Sequence, residues 1–241
     1  PKHAAQYYAS SEQEQDFSKV YEIYQKELLK NNAIDFGDMI MKTVEVLRDH
    51  ALAASYWQNK FHYLLIDEFQ DSNYAQLQLI LLLSSPHFNL FAVGDFRQSI
   101  YKFRGSDISI ILGFKNMFPT GKVVHLLKNY RSQSNIVNVG NYLIDHNKTE
   151  FNKDLQAHHA EGKKVNVVSV GTEFHEAAFA ASTIKKAVMS GERSYKDFAI
   201  LYRSNAQSRI IEDVFRNQFI PTKMVNGTGF YQREEIKDIV S

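Results

Sequence analysis

The sequence predicts an α/β fold in which parallel strands are covered by helices. Two observations predict it. Short apolar runs at residues 62–67, 89–94, 123–127, 165–170 and 198–203 have the length and the β-branched and aromatic content of buried strands. Segments with helical spacing lie between them, and strand–helix alternation points to crossover connections in a parallel sheet. Ligands of such sheets gather beyond the C-terminal strand ends, where Asp67, Asp95 and Asn129 fall.

The elements follow in order. Phe17, Val20, Tyr21, Tyr24 and Leu28 recur at helical spacing and predict a helix over 12–30, broken by Asn31 and Asn32. Asp35 is an N-cap for a helix from about 36 to 47, and a third helix over 51–60 leads into the strand at 62–67. The Asp71, Ser72, Asn73 run signals the start of a helix over 74–84. After the strand at 89–94, a loop and helix lead to the strand at 123–127, and a helix over 133–146 follows. Residues 147–163 are polar and read as an exposed loop. Helices at 174–190 and 206–218 flank the strand at 198–203, and a short strand closes the pattern near 222–226.

Composition narrows the class. The chain has 241 residues, 44% hydrophobic and 23% charged, which is ordinary for a folded protein. It has no cysteine, so disulfides and thiolate metal sites are excluded. No apolar run approaches the ~20 residues of a membrane span, and no basic-then-apolar leader opens the chain. The chain therefore reads as soluble and cytoplasmic. It begins at Pro1 rather than Met, as an internal piece of a longer protein does. The net charge is only +1, but residues 96–135 hold seven basic residues against Asp107 alone, a local charge of +6. A basic stretch of this kind attracts polyanions, or else forms a solvated face that balances acids elsewhere.

Three segments carry chemistry. Residues 64–71 read LLIDEFQD, an apolar strand running into two adjacent carboxylates. At such a strand end one carboxylate can hold Mg²⁺ through its water shell, and the next can polarise an attacking water. A solvated turn or a helix cap uses the same residues. Residues 94–105 read GDFRQSIYKFRG. Gln98, just past a strand end, suits hydrogen bonding to a water or a phosphate oxygen. Tyr101, Phe103 and Arg104 put two rings and a guanidinium within four residues, which suits unpaired bases and their phosphates; core packing is the other use of such rings. In the run Asn129, Tyr130, Arg131, Ser132, the tyrosine can stack on a purine and the arginine can neutralise a transferring phosphoryl group, or serve a structural ion pair. His158, His159 and Glu161 lack a spacing that turns both histidines to one ion, and read as loop.

Together these segments resemble superfamily 1A DNA helicases, the UvrD/PcrA/Rep family. Residues 64–73 are similar to its motif II, 93–107 to motif III and 126–134 to motif IV; residues 34–40, 198–209 and 230–238 add further likeness. The resemblance implies RecA-like parallel sheets flanked by helices. It implies the tail of a helical inserted subdomain at 1–32, the later part of a first motor lobe at 33–126, and the early part of a second at 127–241. It implies ATP bound between the lobes with Mg²⁺ on Asp67, Glu68 acting on the hydrolytic water, and Gln98 joining the γ-phosphate to the DNA track. It also implies Tyr130 on adenine, Arg131 on the γ-phosphate, and Tyr101, Phe103 and Arg104 along single-stranded DNA. Arg203 and Asn205 resemble, by position, DNA-backbone contacts of the family's second lobe. Single-stranded DNA and single-strand/duplex junctions are the implied partners, with movement 3′ to 5′.

Departures from the family pattern are Phe103 for tryptophan, Arg97 for an acidic residue, Phe69 for tyrosine, and Gly37 within the upstream acidic segment. Arg97 and Phe103 together also resemble the corresponding loop of AddA and RecB helicase-nucleases. A phosphate-binding loop (Walker A) is absent: Gly121–Lys122 and Gly162–Lys163 have neither a glycine five residues earlier nor a following hydroxyl. The expectation is therefore a non-catalytic piece in isolation, belonging to a parent that hydrolyses ATP. Incomplete sheets with open edges point to self-association of the piece. A transporter-type ATPase shares only the apolar–Asp–Glu strand.

Overall fold

The computed structural model of the chain describes residues 11–147, 154–204 and 206–225. It comprises two compact units, Pro1–Tyr130 with Gly140–Gln156, and Arg131–Val139 with Ala157–Ser241.

The first unit opens with α1 (Glu12–Lys30). Ser11 and Glu14 close its N-terminus reciprocally: the Ser11 hydroxyl accepts the Glu14 N–H at 3.3 Å, and the Glu14 carboxylate accepts the Ser11 N–H at 3.2 Å. The apolar stripe is real, yet Phe17, Val20, Tyr21 and Tyr24 remain exposed. The Asp35 carboxylate accepts the Asp38 N–H at 2.7 Å, which starts α2 (Phe36–Asp49), and it also accepts the Tyr24 hydroxyl of α1 at 3.0 Å. Helices α2 and α3 (Ala51–Lys60) pack on α4 (Tyr74–Ser84). The Gln58 amide ties α3 to α4 by donating to the Leu82 carbonyl at 2.8 Å. Asn73 and Gln76 form the reciprocal cap of α4.

At the centre, β1 (Leu64–Ile66) and β2 (Leu90–Ala92) pair in parallel, with Leu64 opposite Leu90 and Ile66 opposite Ala92. The alternation of a strand decides the rest. Ile66, Leu90 and Ala92 face a core of Phe69, Leu77, Ile80 and Ile110, closed by α5 (Ile108–Leu112) and α6 (Phe114–Met117). Phe69 is 1% exposed and meets the Phe114 ring edge-on at 5.7 Å. The opposite pair, Leu65 and Phe91, is 74% and 64% exposed.

The second unit is built on α8 (Glu173–Met189) and α9 (Ala206–Asn217). Ala177, Ala181 and Ile184 meet Val214, Phe215 and Ile220, with Tyr195, Phe198 and Ile200 packed against this core. Alanines at the contact let the two helices approach closely. Thr172 caps α8 by accepting the His175 N–H at 3.2 Å.

Several elements differ from the sequence reading. The runs at 123–127, 165–170 and 198–203 form no strand. Their composition is right, but a strand exists only through a neighbour's ladder of hydrogen bonds, and Val124, Leu126, Val167 and Leu201 stay exposed. Instead β3 (Lys128–Gln133) takes in a polar run and pairs with β4 (Gln156–His159), which lies in the stretch read as loop; α7 (Ser134–Ile144) follows β3. Distant backbone partners explain β4. The Asn141 amide bonds both the Leu155 carbonyl at 2.9 Å and the Leu155 N–H at 3.2 Å, and the Gln156 N–H donates to the Leu127 carbonyl at 2.8 Å. Residues 221–225 are not a strand, and the rest of the segment near 222–226 lies outside the described residues. No helix among the described residues is long and apolar enough to cross a membrane.

Replacing Phe69 by alanine should lower unfolding free energy by about 3–5 kcal/mol, because the cavity forms in a closed core. Val167→Ala, at a position 97% exposed, should cost no more than ~0.5 kcal/mol. Urea midpoints of the two variants check this contrast.

Candidate functional site

The chain leaves β1 by a left-handed residue. Glu68 has φ 49° and ψ 43°, a conformation that costs a non-glycine residue of order 1 kcal/mol. The ladder supports the turn from both sides: the Val93 N–H donates to the Ile66 carbonyl at 2.8 Å, and the Phe69 N–H donates to the Val93 carbonyl at 2.9 Å. Asp67 accepts the Glu68 N–H at 2.9 Å. Asp67 and Glu68 are thereby left exposed at the strand end, while Phe69 and Gln70 turn inward.

Gln70 is 1% exposed and its amide is used at both ends. Its Nε2 donates to Glu68 Oε2 at 2.7 Å, and its Oε1 accepts the Asp95 N–H at 2.9 Å. Gly94 makes this approach possible. A Cβ there would lie 2.7 Å from Gln70 Oε1 and 3.0 Å from Ile111 Cδ1. The Ser99 hydroxyl adds a bond to the Gln70 carbonyl at 3.4 Å.

Asp95 organises the loop that follows. It caps the turn Phe96–Gln98 by accepting the Arg97 N–H at 3.1 Å. The Arg97 guanidinium grips it at 2.9 and 3.1 Å, and the Gln98 amide donates to it at 3.1 Å. Partial burial pushes the Asp95 carboxyl up. The hydrogen bonds from Arg97 and Gln98 and the Arg97 charge outweigh that and hold it below its ordinary value. Arg97, an acidic position in the family pattern, is therefore matched here by a carboxylate two residues earlier.

Beyond this loop the three expected ring and guanidinium residues come together. Tyr101 and Phe103 lie 5.8 Å apart, and Arg104 Cζ sits 5.1 and 5.6 Å from their ring centres. Neither ring belongs to the core; both are exposed. Tyr130 is exposed on β3 with Lys128 Nζ 5.2 Å from its ring centre, and Arg131 follows it, also exposed. Arg203 is exposed just before α9, where the Gln207 side chain accepts its N–H at 3.0 Å. Asn205 lies outside the described residues.

The sequence reading missed Gln70, and it placed Asp95 at a strand end without its role in ordering the loop. Nothing local says that Gln70 faces back to Glu68. The available signal was Gly94, a glycine at a strand end, where such residues often mark close backbone approach.

With this geometry in hand, comparison with known proteins is direct. Residues 1–119 match the family model of the UvrD/REP helicase N-terminal domain, and residues 124–241 match that of the UvrD-like helicase C-terminal domain. The chain belongs to the UvrD-like helicase family. It is 43% identical over 237 residues to the ATP-dependent DNA helicase PcrA of Staphylococcus epidermidis RP62A, and 42% identical over 237 residues to that of Staphylococcus aureus Mu50. In both cases the match takes in 98% of this chain and 32% of the relative, so the chain spans about a third of the length of these relatives.

No group of three or more His, Asp or Glu able to hold a metal occurs among the described residues. Asp67 supplies one exposed carboxylate, which matches Mg²⁺ held by one or two carboxylates, waters and substrate phosphates.

Because its folded value is lowered, Asp95 stabilises the loop fully above about pH 4, its ordinary value being 3.8, and that contribution fades as pH falls through the lowered value. The difference in melting temperature between wild type and Asp95→Asn should therefore be largest near neutral pH and shrink below pH ~4.

Proposed function

We propose that this chain forms part of the motor of an ATP-dependent DNA helicase that couples ATP hydrolysis to 3′-to-5′ movement on single-stranded DNA. The observation that carries this reading is the continuous hydrogen-bonded link from Glu68 through Gln70 to Asp95 and Gln98, followed within a few residues by the Tyr101–Phe103–Arg104 cluster. A group suited to act on water and a group suited to hold bases thus belong to one connected segment. The family match and the printed names of the relatives support the same reading.

In this proposal Glu68 orients and polarises the hydrolytic water, and Gln98 carries the presence of a γ-phosphate to the loop. Tyr101 and Phe103 offer stacking faces that accept any base, and Arg104 offers a cation beside them. Tyr130 stacks on adenine and Arg131 neutralises phosphoryl charge. Asp67 holds Mg²⁺, which supplies charge neutralisation at the phosphates when bound. Arg203 and Asn205 contact the DNA backbone, and junctions of single strand with duplex are the working substrate.

The proposed layout is a helical tail at 1–32 and RecA-like motor portions at 33–126 and 127–241, in a cytoplasmic protein. By itself the chain is expected to be a non-catalytic DNA-binding piece, since its 241 residues contain no phosphate-binding loop. Self-association of the isolated chain is supported by the exposed Leu65 and Phe91 on the sheet.

Steady-state ATP hydrolysis with and without oligo-dT tests the proposal. The whole protein should show DNA-stimulated turnover that falls at least ~100-fold in Glu68→Gln, a loss of ~3 kcal/mol of transition-state stabilisation. The 241-residue chain alone should show none. Arg104→Ala should weaken oligo-dT binding by roughly 1 kcal/mol, read by fluorescence anisotropy at fixed salt. Sustained DNA-stimulated turnover by the isolated chain would overturn the non-catalytic assignment.

A further inference from the structure

We propose that Gln70 is a positioning residue that locks the Glu68 carboxylate to the Asp95–Ser99 loop, so that the loop and the carboxylate move as one. This deepens the functional reading above and rests on it.

The argument starts from what each partner can accept. An ionised carboxylate only accepts hydrogen bonds, and a backbone N–H only donates. The side chain bridging Glu68 Oε2 and the Asp95 N–H must therefore donate at one end and accept at the other. An amide does this, and the two partners fix which way it points. Of the two amide side chains, glutamine is the one this turn holds. Glutamate would set a second carboxylate against Glu68, and methionine or leucine would fill the space with no bond to either side.

The bridge is stiff because it is enclosed. Gln70 is 1% exposed, its Nε2–Glu68 bond is 2.7 Å and its Oε1–Asp95 bond is 2.9 Å. Its own carbonyl accepts the Ser99 hydroxyl at 3.4 Å, on the far side of the Phe96–Gln98 turn. The loop that carries Gln98 is thus fastened to Gln70 at both ends, through Asp95 and through Ser99. Only a glycine at 94 lets the amide lie this close to the loop backbone, since a Cβ there would be 2.7 Å from Oε1. Among the described residues Glu68 Oε1 has no hydrogen-bond partner, so the bridge occupies one carboxylate oxygen and leaves the other for substrate water. A displacement of the loop, by DNA on Tyr101 and Phe103 or by a group on Gln98, pulls on the Asp95 N–H and so rotates the Glu68 carboxylate. Misplacement of a catalytic group by about 1 Å costs up to ~100-fold in rate.

The test measures kcat and KM for ATP in the whole protein, with and without oligo-dT, for wild type, Gln70→Met and Gly94→Ala. Gln70→Met removes the bridge at near-constant volume. Gly94→Ala keeps Gln70 and displaces its amide from the loop side. Both are expected to lower DNA-stimulated kcat by roughly 10–100-fold, with KM for ATP and affinity for oligo-dT changed less than about twofold. The ratio of stimulated to basal kcat should fall toward one in both, and their combined effect should be less than additive, because each breaks the same link. Hydrogen exchange at the Asp95 amide should quicken in each variant.

If Gln70→Met or Gly94→Ala lowers the melting temperature but keeps the wild-type kcat per folded molecule and the wild-type stimulation ratio, Gln70 is a packing residue and the inference is wrong. Should one variant not fold, the other decides by the same criterion. No hydrolysis by wild type would sink the functional reading itself, and the inference with it; active wild type with unaffected variants sinks the inference alone.

Discussion

The left-handed turn at Glu68 is the constraint on which the first unit depends. A strand that simply continued past Ile66 would send alternate side chains to opposite faces. The positive φ at Glu68 breaks that alternation, so that Phe69 and Gln70, adjacent in sequence, both turn inward while Asp67 and Glu68 stay at the surface. Phe69 then joins the core beneath β1 and β2, and Gln70 reaches Asp95. The backbone strain of order 1 kcal/mol is offset because the turn residues are hydrogen-bonded on both sides and close a buried aromatic contact. Packing and chemistry share one local cause.

Polar satisfaction shapes the next loop in the same way. Asp95 is partly buried and would be costly there without partners. Arg97 and Gln98, from the same short turn, supply them, and the backbone of Asp95 is claimed by Gln70. The loop is therefore ordered by hydrogen bonds rather than by an apolar anchor. Loops held this way shift with modest changes in charge or bonding, which suits a segment that responds to ligands. The Arg104 guanidinium over Tyr101 and Phe103 is held more loosely, on exposed rings whose faces can exchange a cation for a base.

The β1–β2 pair is covered on one face only among the described residues. Leu65 and Phe91 lie on an uncovered face of the β1–β2 pair, and the valine-rich run at 165–170 is largely exposed. Parallel sheets are normally covered on both faces, and here one face of the pair is open. A strand is a property of two segments, and composition reports only one of them.

The sequence by itself determined the helices, since the information for a helix is local: capping residues such as Asp35 and Asn73 and the spacing of apolar side chains set where α2 and α4 begin. It also determined β1, β2, the carboxylates at the end of β1 and the ring–guanidinium cluster, because each is a run of a few neighbouring residues. The tertiary structure alone decided that runs 123–127, 165–170 and 198–203 stay outside any sheet, and that polar residues at 128–133 and 156–159 form one. It alone decided that Gln70 joins Glu68 to Asp95, 25 residues from Gln70 along the chain. The physical reason is the same in each case: a hydrogen bond between distant groups depends on where the fold brings the second partner, and no local pattern records that position.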